Sequence, residues 1–427
     1  MTKKTLLLFL IAFTNISVYS QDFKKYFSRK TLRLDIVHTG NTNTDNMTIL
    51  DMKELPYWSG SLSQLKDLPD YGDNYVEVYD SSTEKLIFSK GYNSLFKEWQ
   101  RLPEAQNTTL SFYEIIEIPY PKNTIKIILK SRNKQHQLDS INTYFINPSN
   151  YMIKHDKKYC SYKYKLLVGD SLNYNNRLDL VFLSEGYTQQ QLNKFSNDAQ
   201  KMYDYLISYS PFDKYKNKIN VWLIYVPSAD SGTDDPRHNI FRQTAFNSSF
   251  NTFGSDRYLT TTDLRKVYDA ASIVPHDQIY ILVNTNKYGG GGIYNFFSLT
   301  STDHPLSKLV FVHEFGHALA GLADEYYYDE PEYQDYYPSN IEPWEPNITT
   351  LVNFKSKWKN MVADTIPIPT PDISSYYNVI GVFEGGGYRS KGVYRPMHTC
   401  IMKTLSTHYF CPVCQKAIKQ RLDYYTK

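Results

Sequence analysis

The sequence predicts an α+β protein of two domains, an N-terminal antiparallel β-sandwich followed by a C-terminal α/β domain. Three observations carry that prediction. Alternating apolar and polar runs recur to about Arg132, strand and helix patterns alternate from about Tyr164 onward, and 427 residues give room for two or three cores. Residues 21–164 are read as the sandwich and its linker, and residues 165–427 as the second domain.

The elements follow in order. Lys3 and Lys4 precede the apolar run Leu6 to Phe13 and a small polar stretch ending at Ser20-Gln21. That is the charged start, short apolar middle and cleavage point of a signal peptide over residues 1–20, and it predicts export to the periplasm, cell surface or medium. No Cys stands at the cleavage point to take a lipid, and no later run approaches the roughly 18 apolar residues of a membrane span. Leu32-Arg33-Leu34-Asp35-Ile36-Val37, Tyr75-Val76-Glu77-Val78-Tyr79 and Ile125-Lys126-Ile127-Ile128-Leu129 then read as sandwich strands between Gly/Asn/Asp/Ser turns. The polar segment from Asn133 to about Lys165 reads as a connector, or a last strand and a linker.

In the second domain Leu178 to Leu183, Asn220 to Val226 and Gln278 to Val283 read as buried strands. Thr188 is a good N-cap for a helix to about Tyr209, and Thr262 to Ala271 is a second helix. Tyr288-Gly289-Gly290-Gly291-Gly292 leads into a β-prone run from Ile293 to Leu299. Those glycines suit a hinge, a flexible tip or an edge strand along which a peptide could add.

Composition excludes several function classes. Lys+Arg 47 against Asp+Glu 44 leaves a charge of +3, without the basic excess of a nucleic-acid binder. Four Cys are too few for a disulfide scaffold, and 41 % hydrophobic residues with 39 Tyr exclude a disordered chain.

Ser301-Thr302-Asp303-His304-Pro305 supplies capping chemistry for a helix through Leu306 to about Leu322. Within it stands His313-Glu314-Phe315-Gly316-His317. Positions i and i+4 share a helix face, so both imidazoles can reach one metal, with Glu314 placed to take a proton from water beside it. Such a pattern arises by chance in roughly one chain in a hundred of this length and composition. Zinc is the expected metal, one ion with one open position, in a zincin-like domain. Gly321 allows the chain to turn back with a third ligand. Asp324 is favoured, Glu325 is its rival, and Asp329, Glu330 and Glu342 lie close behind.

The stretch from His313 to Tyr326 resembles the active-site helix of the bacterial IgA peptidase family of zinc metallopeptidases. Leu183-Ser184-Glu185-Gly186-Tyr187-Thr188, Asp230-Ser231-Gly232-Thr233-Asp234, Val283-Asn284 with Tyr288-Gly289-Gly290, and Cys400-Ile401-Met402 extend the likeness. Leu32-Arg33-Leu34-Asp35 and Glu98-Trp99 with Glu104-Ala105 resemble the family's N-terminal β-sandwich. The resemblance covers nearly the whole chain after the leader. It implies a zinc endopeptidase without fixing its substrate; with export, extracellular proteins are the expected substrates, host glycoproteins and immunoglobulins among the candidates, with Glu314 as general base. The related metzincins set the third ligand ten residues after the first His and a Gly three after the second. Here those positions hold Ala323 and Ala320, with Gly321 and Asp324 one step later. The resemblance also implies a Met-containing turn under the metal at Met402, whose bland reading is core filling.

Around Cys400, Cys411 and Cys414 a disulfide from Cys400 to Cys411 or Cys414 is expected, with a second zinc site as the alternative and Cys160 free or paired to the remaining Cys. Asp230, Asp234 and Asp235 are candidate calcium ligands or a solvated acidic turn. Tyr388 and Tyr394 precede Met402, where a phenol can steady an oxyanion. Two rival readings stand: a glycan- or glycoprotein-binding adhesion protein with an inactive zincin domain, and a metal-dependent hydrolase of non-peptide bonds.

Overall fold

The computed structural model describes residues 22–67, 69–155, 161–327 and 336–427. The expected leader, Cys160, Asp329 and Glu330 lie outside them. Among the described residues no helix is long and apolar enough to cross a membrane.

The N-terminal half is the expected antiparallel sandwich, apart from the two-residue strand Ile153–Lys154, which runs parallel to its neighbour Thr44–Leu55. One sheet has the order β5-β1-β2-β8, from β1 (Phe27–Asn41), β2 (Thr44–Leu55), β5 (Leu110–Pro121) and β8 (Ile153–Lys154). The other has the order β4-β3-β6-β7, from β3 (Asn74–Asp80), β4 (Lys85–Tyr92), β6 (Ile125–Arg132) and β7 (Leu138–Ile146). Leu32, Leu34 and Ile36 of β1 join Val76, Val78, Ile127 and Leu129 in the core between them. Fully burying each such side chain contributes roughly 1.5–3 kcal/mol. The intervening residues face the second unit instead. Arg33 holds Asp35 at 2.6 Å and reaches Asp269 across the interface at 2.6 Å. The polar segment after Asn133 is therefore not only a connector. It supplies β7, an edge strand, and edge strands keep polar residues on their solvent side.

The second half is mixed α/β. Its six-stranded sheet runs β13-β14-β12-β10-β11-β9, comprising β9 (Lys163–Val168), β10 (Leu178–Glu185), β11 (Ile219–Tyr225), β12 (Gln278–Val283), β13 (Gly290–Ile293) and β14 (Phe297–Ser301). Strand β10 is parallel to β11 and β12, β12 is parallel to β14, and the edge strands β9 and β13 are antiparallel to their neighbours. Every residue of β10 is buried, which explains its unbroken apolar run.

Helices among the described residues include α1 (Leu95–Trp99), α2 (Leu192–Leu206), α3 (Phe212–Tyr215), α4 (Leu264–Ala271), α5 (Ser307–Ala320) and α6 (Pro412–Thr426). Residues of α2, α5 and α6 pack on one face of the sheet with Leu178, Leu180 and Phe182. On the other face Val181, Leu183 and Ile281 meet α4, together with Leu95 and Ile115 of the N-terminal half. Thr188 and Gln191 form a capping box at a 3-10 turn (Gln189–Gln191) that leads into α2.

Helix α5 starts later than its capping residues suggest. Ser301 still belongs to β14, and the backbone N–H groups of Thr302 and Asp303 donate to Val283 and Thr285. The β-prone run from Ile293 to Leu299 is likewise not one strand, because Tyr294-Asn295-Phe296 turns between β13 and β14.

Candidate metal centre

Helix α5 carries His313, Glu314 and His317, and its C-cap Gly321 takes the left-handed conformation at φ 62°. A side chain is strained there, and a Cβ would also lie 2.6 Å from the Trp344 ring. The turn sends the chain back under the helix, where Asn347 grips Ala323 through both its N–H (2.7 Å) and its C=O (2.9 Å). This brings Asp324 Oδ1 to 3.1 Å from His313 Nε2 and 3.3 Å from His317 Nε2, while the two Nε2 atoms are 3.0 Å apart.

The chemistry of those three atoms decides what fits between them. His313 Nδ1 lies 3.0 Å from the Ile401 carbonyl and His317 Nδ1 lies 2.5 Å from the Leu322 carbonyl. A carbonyl only accepts, so each Nδ1 carries a hydrogen, and in the neutral imidazole each Nε2 then presents a lone pair. Asp324 Oδ1 is buried without a hydrogen-bond partner. With both rings neutral, three lone-pair donors converge on one point. A tetrahedral zinc ion with bonds of about 2.0–2.1 Å spaces its ligand atoms by about 3.3 Å, close to the observed edges. The residues fit a metal of that kind, and the imidazole-to-carbonyl bonds fix the ring tautomers.

With no cation between them, burial disfavours a charged His317, but the Asp324 carboxylate outweighs it and the imidazole is pushed up to about 9, so a metal binding there has a proton to displace. Burial works against the Asp324 carboxylate as well, yet His317 and His313 hold it well below the usual range. Tyr388 donates to Asp324 Oδ2 at 2.5 Å, leaving Oδ1 for the histidines. Tyr388 sits at φ 65° in the turn between β15 (Phe383–Gly386) and β16 (Arg389–Arg395). The N–H groups of Gly387 and Tyr388 clamp the backbone at Asp324 and Tyr326. A non-glycine residue in that conformation is costly and persists where its surroundings impose it.

Glu314 lines a cleft of about 540 Å³ together with His313, His317 and Asp324. Burial pushes its carboxyl up, the histidines pull it down, and Asp324 raises it again. The N-terminal half contributes Glu98 and Leu102 to the same cleft. Glu98 accepts from Tyr258 at 2.5 Å and is pushed up to about 7, chiefly by burial.

Other expectations meet mixed outcomes. Glu325, the rival third ligand, is fully buried away from the histidines and accepts from Asn347 (2.9 Å) and Cys414 (3.2 Å). Glu342 accepts from the Asn353 N–H at 2.8 Å. The expected disulfide is not formed: Cys400, Cys411 and Cys414 are free, their sulfurs gathered around one point with Glu325 instead of paired. The candidate calcium ligands have other partners. Asp230 accepts from the Gln243 N–H, Asp234 from the Arg242 N–H, and Asp235 pairs with Lys287 and His238. Tyr394 pairs by its backbone with Thr349, and it is absent from the cleft lining among the described residues. Met402 is buried beneath α5, with Sδ at 3.1 Å from where a Cβ on Gly316 would stand. Gly289 to Gly292 line the cleft, although the Gly290 carbonyl is already taken by the Leu259 N–H.

Sequence reasoning missed Asn347 and Ile401. Asn347 belongs to no motif, and Ile401, although it stands in Cys400-Ile401-Met402, acts only through its carbonyl, so its role left no sequence signal.

The family profile described as IgA Peptidase M64 matches residues 167–378 and 372–422, and one described as Peptidase M64 N-terminus matches residues 22–143. No curated protein matches the chain.

Proposed function

The chain belongs to the IgA Peptidase M64 family and is a metallopeptidase, and from that premise we propose that it is an exported zinc endopeptidase of extracellular proteins. In this reading His313, His317 and Asp324 hold the metal and Glu314 is the general base. The observation that carries it is the convergence of two imidazole nitrogens and one carboxylate oxygen, 3.0 to 3.3 Å apart, beside Glu314 in an open cleft.

Zinc bound there supplies Lewis acidity, polarising a peptide carbonyl and making a water molecule easier to deprotonate. The rest falls to the chain. The Glu314 carboxylate accepts the proton of the attacking water and returns it to the nitrogen of the departing amine. Its raised proton affinity suits both transfers. The carbonyls of Ile401 and Leu322 keep both imidazoles aimed, and Tyr388 orients the Asp324 carboxylate. Gly291 and Gly292 offer backbone in the cleft, which favours an extended peptide over a non-peptide substrate.

Export rests on the signal-peptide pattern of residues 1–20. Immunoglobulins and other host glycoproteins are candidates on the family's name alone. Division into domains at residue 164 belongs to the same reading, with β9 starting at Lys163 and so straddling that boundary.

The test is cleavage of a mixture of extracellular proteins, read by identifying the new termini. Cleavage is expected to stop on chelation and return with zinc. Glu314→Gln should keep its metal and melting temperature and lose about 10²- to 10⁴-fold in kcat/KM. Undiminished activity in that variant would refute the general-base role. A metal-loaded chain that binds glycoproteins and cuts none would favour the adhesion reading.

A further inference from the structure

We propose that Cys400, Cys411, Cys414 and Glu325 form a second, structural zinc site that braces the metal centre. Their ligand atoms lie within 4.8 Å of one another and all four residues are buried. Cys400 Sγ and Cys414 Sγ are 3.8 Å apart. Four thiolate-type ligands at about 2.3 Å from a tetrahedral zinc would be spaced by about 3.8 Å. Glu325 Oε1 is 3.2 Å from Cys414 Sγ, near the shorter edge expected between an oxygen and a sulfur ligand. Glu325 is 0 % exposed and its Oε2 has no partner. A buried carboxylate oxygen left unsatisfied is costly unless something absent from the protein alone completes it.

The local structure suits thiolates. Cys411 is the N-cap of α6 and Cys414 follows at the two-residue spacing common in zinc sites. The Cys411 N–H points to Cys400 Sγ at 3.3 Å and the Cys414 N–H to Cys411 Sγ at 3.5 Å. Arg395 is fully buried nearby, with Nε and Nη2 unpartnered, and supplies positive charge against the anionic ligands. A disulfide between any two sulfurs would leave the third thiol unpaired and Glu325 Oε2 without a partner, whereas one divalent ion draws on all four residues. Binding forms three Zn–S bonds and one Zn–O bond and releases to water the protons that the ligands carried.

The two centres share short segments. Glu325 follows Asp324, and its N–H donates to the Met402 carbonyl at 2.9 Å. Cys400 precedes Ile401, whose carbonyl holds His313. Fixing the four ligands therefore fixes the loop and the carbonyl that shape the neighbouring centre.

The experiment is metal replacement in the full chain. The His313, His317 and Asp324 site contains no sulfur, so thiolate-to-cobalt charge-transfer absorption in the cobalt-loaded protein reports the second site alone. The expected results are that band, two zinc ions per chain by elemental analysis, and one remaining in His313→Ala/His317→Ala. Cys411→Ser/Cys414→Ser should abolish the band; if that variant does not fold, the wild-type spectrum and stoichiometry still decide. Absence of the band with one zinc per chain, or an intact mass two hydrogens light from a disulfide within the cluster, would overturn the proposal. A chain with two zinc ions and the band that cuts no protein would leave this site standing and remove only the peptidase reading.

Discussion

Asp324 and Glu325 are adjacent carboxylates with opposite surroundings, one beside the imidazoles of α5 and the other among three sulfurs. Past Gly321 the chain has left the helix, so neighbouring side chains can aim to different sides. Asp324→Ala should cost the chain its first-site metal, seen as one fewer zinc ion by elemental analysis. Unchanged metal content would move the ligand elsewhere. Tyr388→Phe removes the donor to Asp324 Oδ2 and should weaken metal affinity about tenfold or more with the fold retained. Competition with a chelator measures it, and wild-type affinity would rule out an orienting role for that phenol. The HExxH spacing was legible because a helix converts i and i+4 into neighbours. The choice between Asp324 and Glu325 was not, because sequence gives two adjacent acids no directions.

Strand β13 and helix α5 form the wall of the cleft, and the glycine run is the condition of their contact. A Cβ on Gly292 would stand 2.2 Å from the Glu314 carbonyl, and one on Gly290 would stand 2.7 Å from Val310. Gly292→Ala should therefore push the helix off the sheet and destabilise the chain by about 1–3 kcal/mol. A lowered denaturant midpoint with weakened metal binding is the expected result, and an unchanged midpoint would show that the packing gives way. The run itself was visible in the sequence, whereas its role was not, since the helix that crowds it comes later in the chain. The same holds for Glu185, which belongs to a recognised motif and is buried accepting the N–H groups of Phe246 and Ser248. It shapes a loop without reaching His313, His317 or Asp324.

Across the whole molecule the two halves are joined by charge as well as by apolar contact. Asp269 receives Arg33 and Lys53 from the sandwich, and Glu117 faces His276 at 3.1 Å. His38 lies in the sandwich between Glu114 and Asp45 and stacks on Phe96 of α1, the helix that brings Glu98 to the cleft. Burial disfavours its charge, but Glu114 and Asp45 outweigh that and push it up to about 9. A folded value above the unfolded one of about 6.5 stabilises fully below that pH. The contribution, on the order of 3 kcal/mol, is lost as pH rises through about 9. Denaturant midpoints measured from pH 6 to 10 should fall, and His38→Gln should flatten that part of the slope; an equal slope in both would exclude His38 as its source. The sequence by itself determined the sandwich, the buried strands and the helix of the two histidines, because alternation, apolar runs and helical spacing are local consequences of backbone geometry. Only the tertiary structure decided that Asp324 meets the imidazoles, that three cysteines and Glu325 converge unpaired, and that Glu98 reaches the cleft. Those outcomes depend on turns, carbonyls and packing between segments far apart in the chain, where each residue's direction is set by its neighbours in space.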